Sequence, residues 1–341
     1  MSTISAQDIG GGSRLRCRAL LTLGLLACAA PACDSYHVCD PPDERLVSKL
    51  PARLSEAGLY SDIATDTVSA DVLPFQPRFA LWSDGAAKRR WIRLPPGTRI
   101  DTSDMDSWVF PEGTQLWKEF TRDGTRVETR LLQKVGPSDD DWVGLAYLWD
   151  PGQKDAVAAP YGAIDALGTP HNVPASAECM GCHGGRKSRA LGFSAVQLSL
   201  DAEPGSLGLD DLAAAGLLSD PPEGAIEVPG NATEQAALGY LHANCGHCHN
   251  QARPPSSGAR CFDPRNELDF WLPAARFQSV EDTPAYESAI GERKIRPGEP
   301  NDSVLIRKIS SRDPSAQMPP LGTEVIDEQA LDLLRDWISG M

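Results

Sequence analysis

Two stretches of this chain repeat one pattern. "AECMGCHGG" at residues 177–185 and "ANCGHCHN" at residues 243–250 each write Cys, two residues, Cys, His. Thiols held at that spacing can bond to the two vinyl carbons of one porphyrin edge, and the following imidazole then reaches the iron. With nine cysteines and six histidines among 341 residues, chance would write the pattern roughly 0.004 times. Cys179 and Cys182 are therefore expected to anchor one haem with His183 as proximal ligand, and Cys245 and Cys248 a second with His249. The cofactors expected are two covalently bound haem c groups. One zinc shared by both Cys-x-x-Cys pairs is a rival chemistry, but the stretch between Cys182 and Cys245 is longer than a zinc ribbon uses. A redox dithiol would need a βαβ setting, which neither motif has.

Each iron also needs a ligand on its opposite face or an open position there. For the second haem, "SAQMPPLG" offers Met318, a thioether on a loop that two prolines stiffen, just ahead of the last helix-like segment. His/Met ligation raises the reduction potential and suits electron transfer. No methionine lies between His183 and Cys245. Four possibilities remain for the first haem: His171 in "TPHNVP", His242 two helical turns before His249, Met105 from the upstream region, or an open site. His247 reads as a packing or surface residue. The neighbouring Arg186, Lys187 and Arg189 read either as a solvated face or as partners of haem propionates.

The elements that must position these groups divide along the chain. "TEQAALGYLHANCGHC" has Ala236, Ala237, Tyr240 and Leu241 at helical spacing behind a cap at Thr233 or Asn231, and it runs into the second motif. The motif cysteines are expected at a helix start. "VIDEQALDLLRDWI" carries an apolar stripe of Val325, Ile326, Ala330, Leu331, Leu334, Trp337 and Ile338. Upstream, tryptophan-rich runs such as "RRWIRLP" and "WVGLAYLWD", punctuated by Gly and Pro, read as strands. Asp123-Gly124 favours a type I′ hairpin. After it, Thr125, Val127, Thr129 and Leu131 alternate with Arg126, Glu128 and Arg130, which predicts one buried and one solvated face. The tryptophans read as core rather than as a sugar-stacking surface. The fold class expected is multidomain α+β, an N-terminal antiparallel β domain followed by a mainly α-helical cytochrome c-type haem region.

The N-terminus predicts export. Arg14, Arg16 and Arg18 precede the apolar run "ALLTLGLLA", too short to span a bilayer but right for a secretory leader. The run ends in "LLAC", which resembles a bacterial lipobox with Cys28 as the lipidated first mature residue; ordinary cleavage after "APA", before Cys33, is the alternative. Residues 1–27 are thus a signal peptide, 28–59 a tether and entry segment, 60–172 the β domain, 173–232 the first haem segment and linker, and 233–341 a domain with the second haem. The location expected is the periplasm or cell envelope, with membrane attachment through a lipid anchor only. Cleavage before Cys28 removes three basic residues and Asp8, leaving 29 Lys and Arg against 46 Asp and Glu, a net charge of −17. That balance argues against nucleic acid or anionic lipid as partner and suits a basic patch on a soluble protein, or it only keeps an exported chain soluble. Cys33 and Cys39 are close enough in sequence for a disulfide, which would leave Cys261 unpaired.

Two helices flanking a Cys-x-x-Cys-His, with a methionine between them, is the layout of a class I cytochrome c. "YLHANCGHCHN", "RPGEPNDSVLIRKI", "MPPLG" and "LLRDWI" resemble the C-terminal domain of exported dihaem c-type cytochromes that in some bacteria accompany sugar or alcohol dehydrogenases. "VPASAECMGCHGG" with "LGFSAVQLS" is similar to the first haem segment of that family, and "ALWSDGAAKRRWIRLP" to its β module. The resemblance implies electron transfer and assigns no substrate. With both irons six-coordinate, the chain would relay single electrons between a dehydrogenase and a downstream acceptor such as a cytochrome or oxidase. With the first haem open, it would resemble a dihaem peroxidase. The relay is preferred, because no acid–base residue stands near "CMGCHGGRKSRALGF" in sequence.

Overall fold

Turn chemistry organises the first half of the chain. In the computed structural model, which describes residues 44–199, 205–254, 267–320 and 322–341, short entry elements lead into a meander. Helix α1 (Glu44–Val47) precedes a ribbon of β1 (Tyr60–Asp62) and β2 (Thr67–Val68). Six antiparallel strands follow in spatial order: β3 (Leu73–Pro74), β4 (Ala87–Arg93), β5 (Gln115–Arg122), β6 (Thr125–Lys134), β7 (Trp142–Trp149) and β8 (Ala156–Ala158). Asp123 and Gly124 join β5 to β6 with φ of +47° and +79°, the positive pair that a type I′ turn requires. The leader, the lipidation position Cys28, Cys33, Cys39 and Cys261 lie outside the described residues. Among the described residues, no helix is long and apolar enough to cross a membrane.

Strand register sorts the side chains into two faces. Trp91, Trp117, Leu131 and Leu145 stand opposite one another across β4 to β7. They pack with Leu54, Leu59, Tyr147 and Trp149 into one core. Trp91, Trp108, Trp117, Trp142 and Trp149 are all buried, so these tryptophans are core, as expected. The other face was expected to meet water, and it does not: Glu128 is 0% exposed. There the row Ile92, Leu116, Leu132, Gly144 lies under a second core that includes Phe110, Phe193 and Leu198. A signal for this was present in sequence, because "RLLQ" and "VGLAYL" are apolar at both strand parities, as in strands covered on both faces.

Helices come later in the chain: α2 (Ser176–His183), α3 (Ala195–Leu198), α4 (Leu209–Ala214), α5 (Ala232–Asn244), α6 (Pro284–Gly291), α7 (Val304–Ile309) and α8 (Glu328–Ser339). The architecture is α+β. Of the two caps considered for α5, the protein uses Asn231: its Oδ1 accepts from the N–H groups of Thr233 and Glu234 at 2.9 and 3.1 Å, and Glu234 reaches back to Asn231 N–H at 2.7 Å. Asp327 caps α8 by accepting from Ala330 N–H at 3.1 Å. The α8 stripe buries Ala330, Leu331, Leu334, Trp337 and Ile338 against α5. Each large apolar side chain so buried contributes about 1.5–3 kcal/mol. Val325 precedes the helix and is exposed, so it leaves the expected stripe.

Sheet and helices are tied together across the boundaries drawn at residues 172 and 232. Trp82 N–H donates to Asn244 Oδ1 at 2.7 Å, and Val325 N–H donates to Asp84 Oδ1 at 2.8 Å. The Phe79 ring lies so close to α5 that a Cβ on Gly239 would meet it at 2.1 Å.

Candidate haem-binding site

The first motif is formed within α2. Glu178 starts this helix by accepting from Ala175 N–H at 2.7 Å. Residues three and four apart share a helix face, so Cys179, Cys182 and His183 project together. Cys179 rests on β7, where a Cβ on Gly144 would lie 2.8 Å from its Cβ and 2.9 Å from its Sγ. Burial pushes the Cys179 thiol up to about 12. The His183 Nδ1 lies 2.5 Å from Arg189 O. A carbonyl only accepts, so Nδ1 carries the proton and the Nε2 lone pair is left for a metal. Burial, aided by the charges of Lys118 and Arg130, pushes His183 down to about 3 and keeps the imidazole neutral.

The second motif is not at a helix start. It is a turn that follows α5, in which Cys248 N–H and His249 N–H both donate to Cys245 O at 3.0 and 2.8 Å. That turn still sets the two sulfurs and the imidazole in succession. Cys245 packs against the core shared by α5 and α8, and burial pushes its thiol up to about 12. The His249 ring meets the edge of Phe270 at 5.9 Å, and Phe270 N–H donates to His249 O at 2.8 Å.

Tertiary structure brings the two motifs together. The donor atoms of Cys182, His247 and Cys248 all lie within 4.8 Å of one another. The backbones approach because residue 185 is glycine, for a Cβ there would sit 1.7 Å from His247 O. Asn250 spans the junction, donating to Gly246 O at 2.9 Å and Gly185 O at 3.2 Å, and accepting from Arg186 at 3.3 Å. A hydrogen bond from Cys182 holds Cys248 below the ordinary thiol value, while Cys182 is raised by that bond and by burial. None of the four motif cysteines is in a disulfide. Cys179 and Cys245 do not join the three-donor cluster, so the four-thiolate set of a zinc ribbon is not assembled.

The remaining predicted residues separate. Met318 is half-buried in the loop after α7, its N–H donating to Lys308 O at 3.1 Å. His171 is not a solvated loop residue: it is 2% exposed, its Nε2 lies 2.7 Å from Glu128 Oε1, and its ring packs on Phe120 at 5.3 Å. His242 is buried as well, with Nδ1 accepting from Leu272 N–H at 3.0 Å and the ring 4.4 Å from Trp271. Met105 packs on the same core as Met180 of the first motif. Arg186 and Arg189 form no solvated cluster. Arg186 is 4% exposed, donates to Asp106 O at 2.5 Å and lies over the Trp271 ring at 4.1 Å, whereas Arg189 pairs with Asp140.

Sequence spacing did not place Glu128 and Arg130 near the first motif, yet both charges act on the Cys179 thiol. Arg130 donates to Glu128 Oε1 from Nε at 3.0 Å and from Nη2. Against the upward push of burial, Arg130 and His171 hold Glu128 below its ordinary value. Between the sheet, the segment after the first motif and the end of α5 runs an open cleft lined by Arg90, Lys118, Ser188, His242, His247 and Trp271.

The donors fit haem c: paired thiols at the attachment spacing, a neutral imidazole with its Nδ1 engaged, and an apolar core beside Cys245. Residues 277–322, which include α6, α7 and Met318, match the family model described as Planctomycete cytochrome C. That match supports a cytochrome c relationship, with covalent haem c as the cofactor and haem-based electron transfer between redox partner proteins as the activity. No curated protein and no solved structure matches the chain.

Proposed function

We propose that this chain is an exported dihaem c-type cytochrome that passes single electrons between a dehydrogenase and a downstream acceptor in the cell envelope, anchored by a lipid on Cys28. The observation that carries the dihaem reading is the closeness of Cys182 and Cys248, one thiol from each motif. Haem iron bound at each point supplies a one-electron couple. His183 and His249 would each ligate one iron, and Met318 would supply the other ligand of the second. The apolar core packed against Cys245 would keep water from the second haem and favour a high potential. His171 is the reading for the sixth position of the first haem: Glu128 holds its Nε2, and its buried Nδ1 has no hydrogen-bond partner and would be left for the iron. The test is a pyridine haemochrome count with intact mass on protein exported from a host that ligates haem. Two haems per chain support the proposal. A chain carrying zinc and no porphyrin overturns it.

One observation favours a second reading. The buried Glu128–His171 pair with Arg130 beside the first motif is an acid–base group of the kind that O–O cleavage needs. If the first haem is open, that pair would handle the protons of peroxide reduction. A high-spin ferric spectrum with peroxide turnover lost in Glu128→Gln favours the peroxidase-like reading; an entirely low-spin spectrum without turnover favours the relay.

A further inference from the structure

Strand register puts three cations in one line. On the sheet face that meets the first motif, Arg90 of β4 stands opposite Lys118 of β5, and Lys118 opposite Arg130 of β6. Like charges directly opposed across strands, with Cβ atoms about 5 Å apart, destabilise a sheet. The row lies on central strands, so no edge lets it splay into water. Arg90 is 6% exposed and donates to Gln76 Oε1 at 2.9 Å, an uncharged partner. Among the described residues Lys118 makes no ion pair; its ammonium lies over the Phe120 ring at 5.4 Å. Arg130 alone has a carboxylate, Glu128, which His171 shares. Lys88, the next residue of β4 on this face, is pushed down to about 7 by burial together with Arg90 and Arg130, against the opposing charges of Asp327 and Asp84. Burial and the neighbouring cations hold Lys118 well below the ordinary lysine value, so a bound anion would favour its charged form. Arg90 and Lys118 open on the cleft, which Arg186, His242, His247 and Trp271 also line.

A half-buried basic row served by a single carboxylate calls for an anion. The row lies beside the first attachment site: Cys179 rests on Gly144 of β7, which stands opposite Leu132, two residues along β6 from Arg130. We propose that Arg90 and Lys118, aligned with Arg130 across β4 to β6, form a carboxylate-binding face that takes the propionates of the haem attached at Cys179 and Cys182. The inference rests on the dihaem reading and gives the sheet its role: it is the polar wall of the first haem site. Carboxylates seated there turn the repulsion within the row into attraction, so the sheet face and the loaded haem stabilise each other.

The experiment uses the exported holoprotein and its Lys118→Met and Arg90→Gln variants, each first counted for haem. Two readouts follow: the midpoint potential of each haem by spectroelectrochemistry, and the propionate bending modes by resonance Raman. Removing a cation beside the first haem favours its ferric form. At a fixed poise the reduced-to-oxidised ratio of that haem should fall about tenfold, about 59 mV for a one-electron couple, with the second haem unchanged and the propionate mode shifted. Lys118→Arg should restore both signals. If Lys118→Met fails to load, Arg90→Gln and Lys118→Arg carry the comparison. Unchanged potential and propionate mode in fully loaded variants would overturn the assignment. Citrate binding to the wild-type holoprotein that Lys118→Met abolishes, with an unmoved propionate mode, would overturn it too, by showing that the row takes a free carboxylate. Absence of haem from the wild type is a failure of the dihaem reading itself, seen in the initial count.

Discussion

Replacing Glu128 with glutamine tests the covered sheet face directly. Glu128 is fully buried; it accepts from Arg130 Nε at 3.0 Å and lies 2.7 Å from His171 Nε2. Breaking a buried pair from one side costs about 3–5 kcal/mol. The Arg130 side chain is 30% exposed, so water recovers part of that, and the discounted expectation is about 2–3 kcal/mol. For a chain of this size that is a fall of about 3–5 °C in melting temperature. The pH dependence has a definite sign. Glu128 titrates below its ordinary 4.5 when folded, so on acidification the unfolded chain takes the proton first. The stability that the pair contributes is complete above about pH 5 and is lost as pH falls from 4.5 through the lower folded value. The gap between wild type and Glu128→Gln should therefore close at acid pH. Thermal unfolding of both proteins from pH 3 to 7, with His171→Asn and the double variant, is the assay. A destabilisation under about 0.5 kcal/mol, or a gap that does not depend on pH, would refute the reasoning.

Other substitutions probe the site and its supports. Gly185→Ala places a Cβ 1.7 Å from His247 O and must push the motifs apart, with a loss of about 1–3 kcal/mol and weaker magnetic coupling between the ferric haems by electron paramagnetic resonance. Gly144→Ala drives Cys179 off β7, and intact mass should show chains that lack the first haem. Met318→Ala should lower the potential of the second haem and remove its sulfur-to-iron absorption band, leaving the first haem unaltered. Leu334→Ala, at a side chain with 0% exposure between α5 and α8, should cost about 2–5 kcal/mol in denaturant unfolding.

The sequence alone determined the features that are written within a few residues. The two Cys-x-x-Cys-His motifs, the Asp123-Gly124 turn and the apolar repeat of α8 each depend on local spacing and turn chemistry, and local spacing survives folding. Other features depended on what packs against what. Period-two alternation says that Glu128 and Arg130 share a face, but it carries no information about whether that face meets water. Only the packing of α2 and the following segment onto the sheet buries it. Likewise nothing in the spacing brings Cys182 to Cys248, His171 to Glu128, or Arg90, Lys118 and Arg130 into one row. Those are contacts between residues distant in the chain, set by strand register and by the close approach that Gly185 permits.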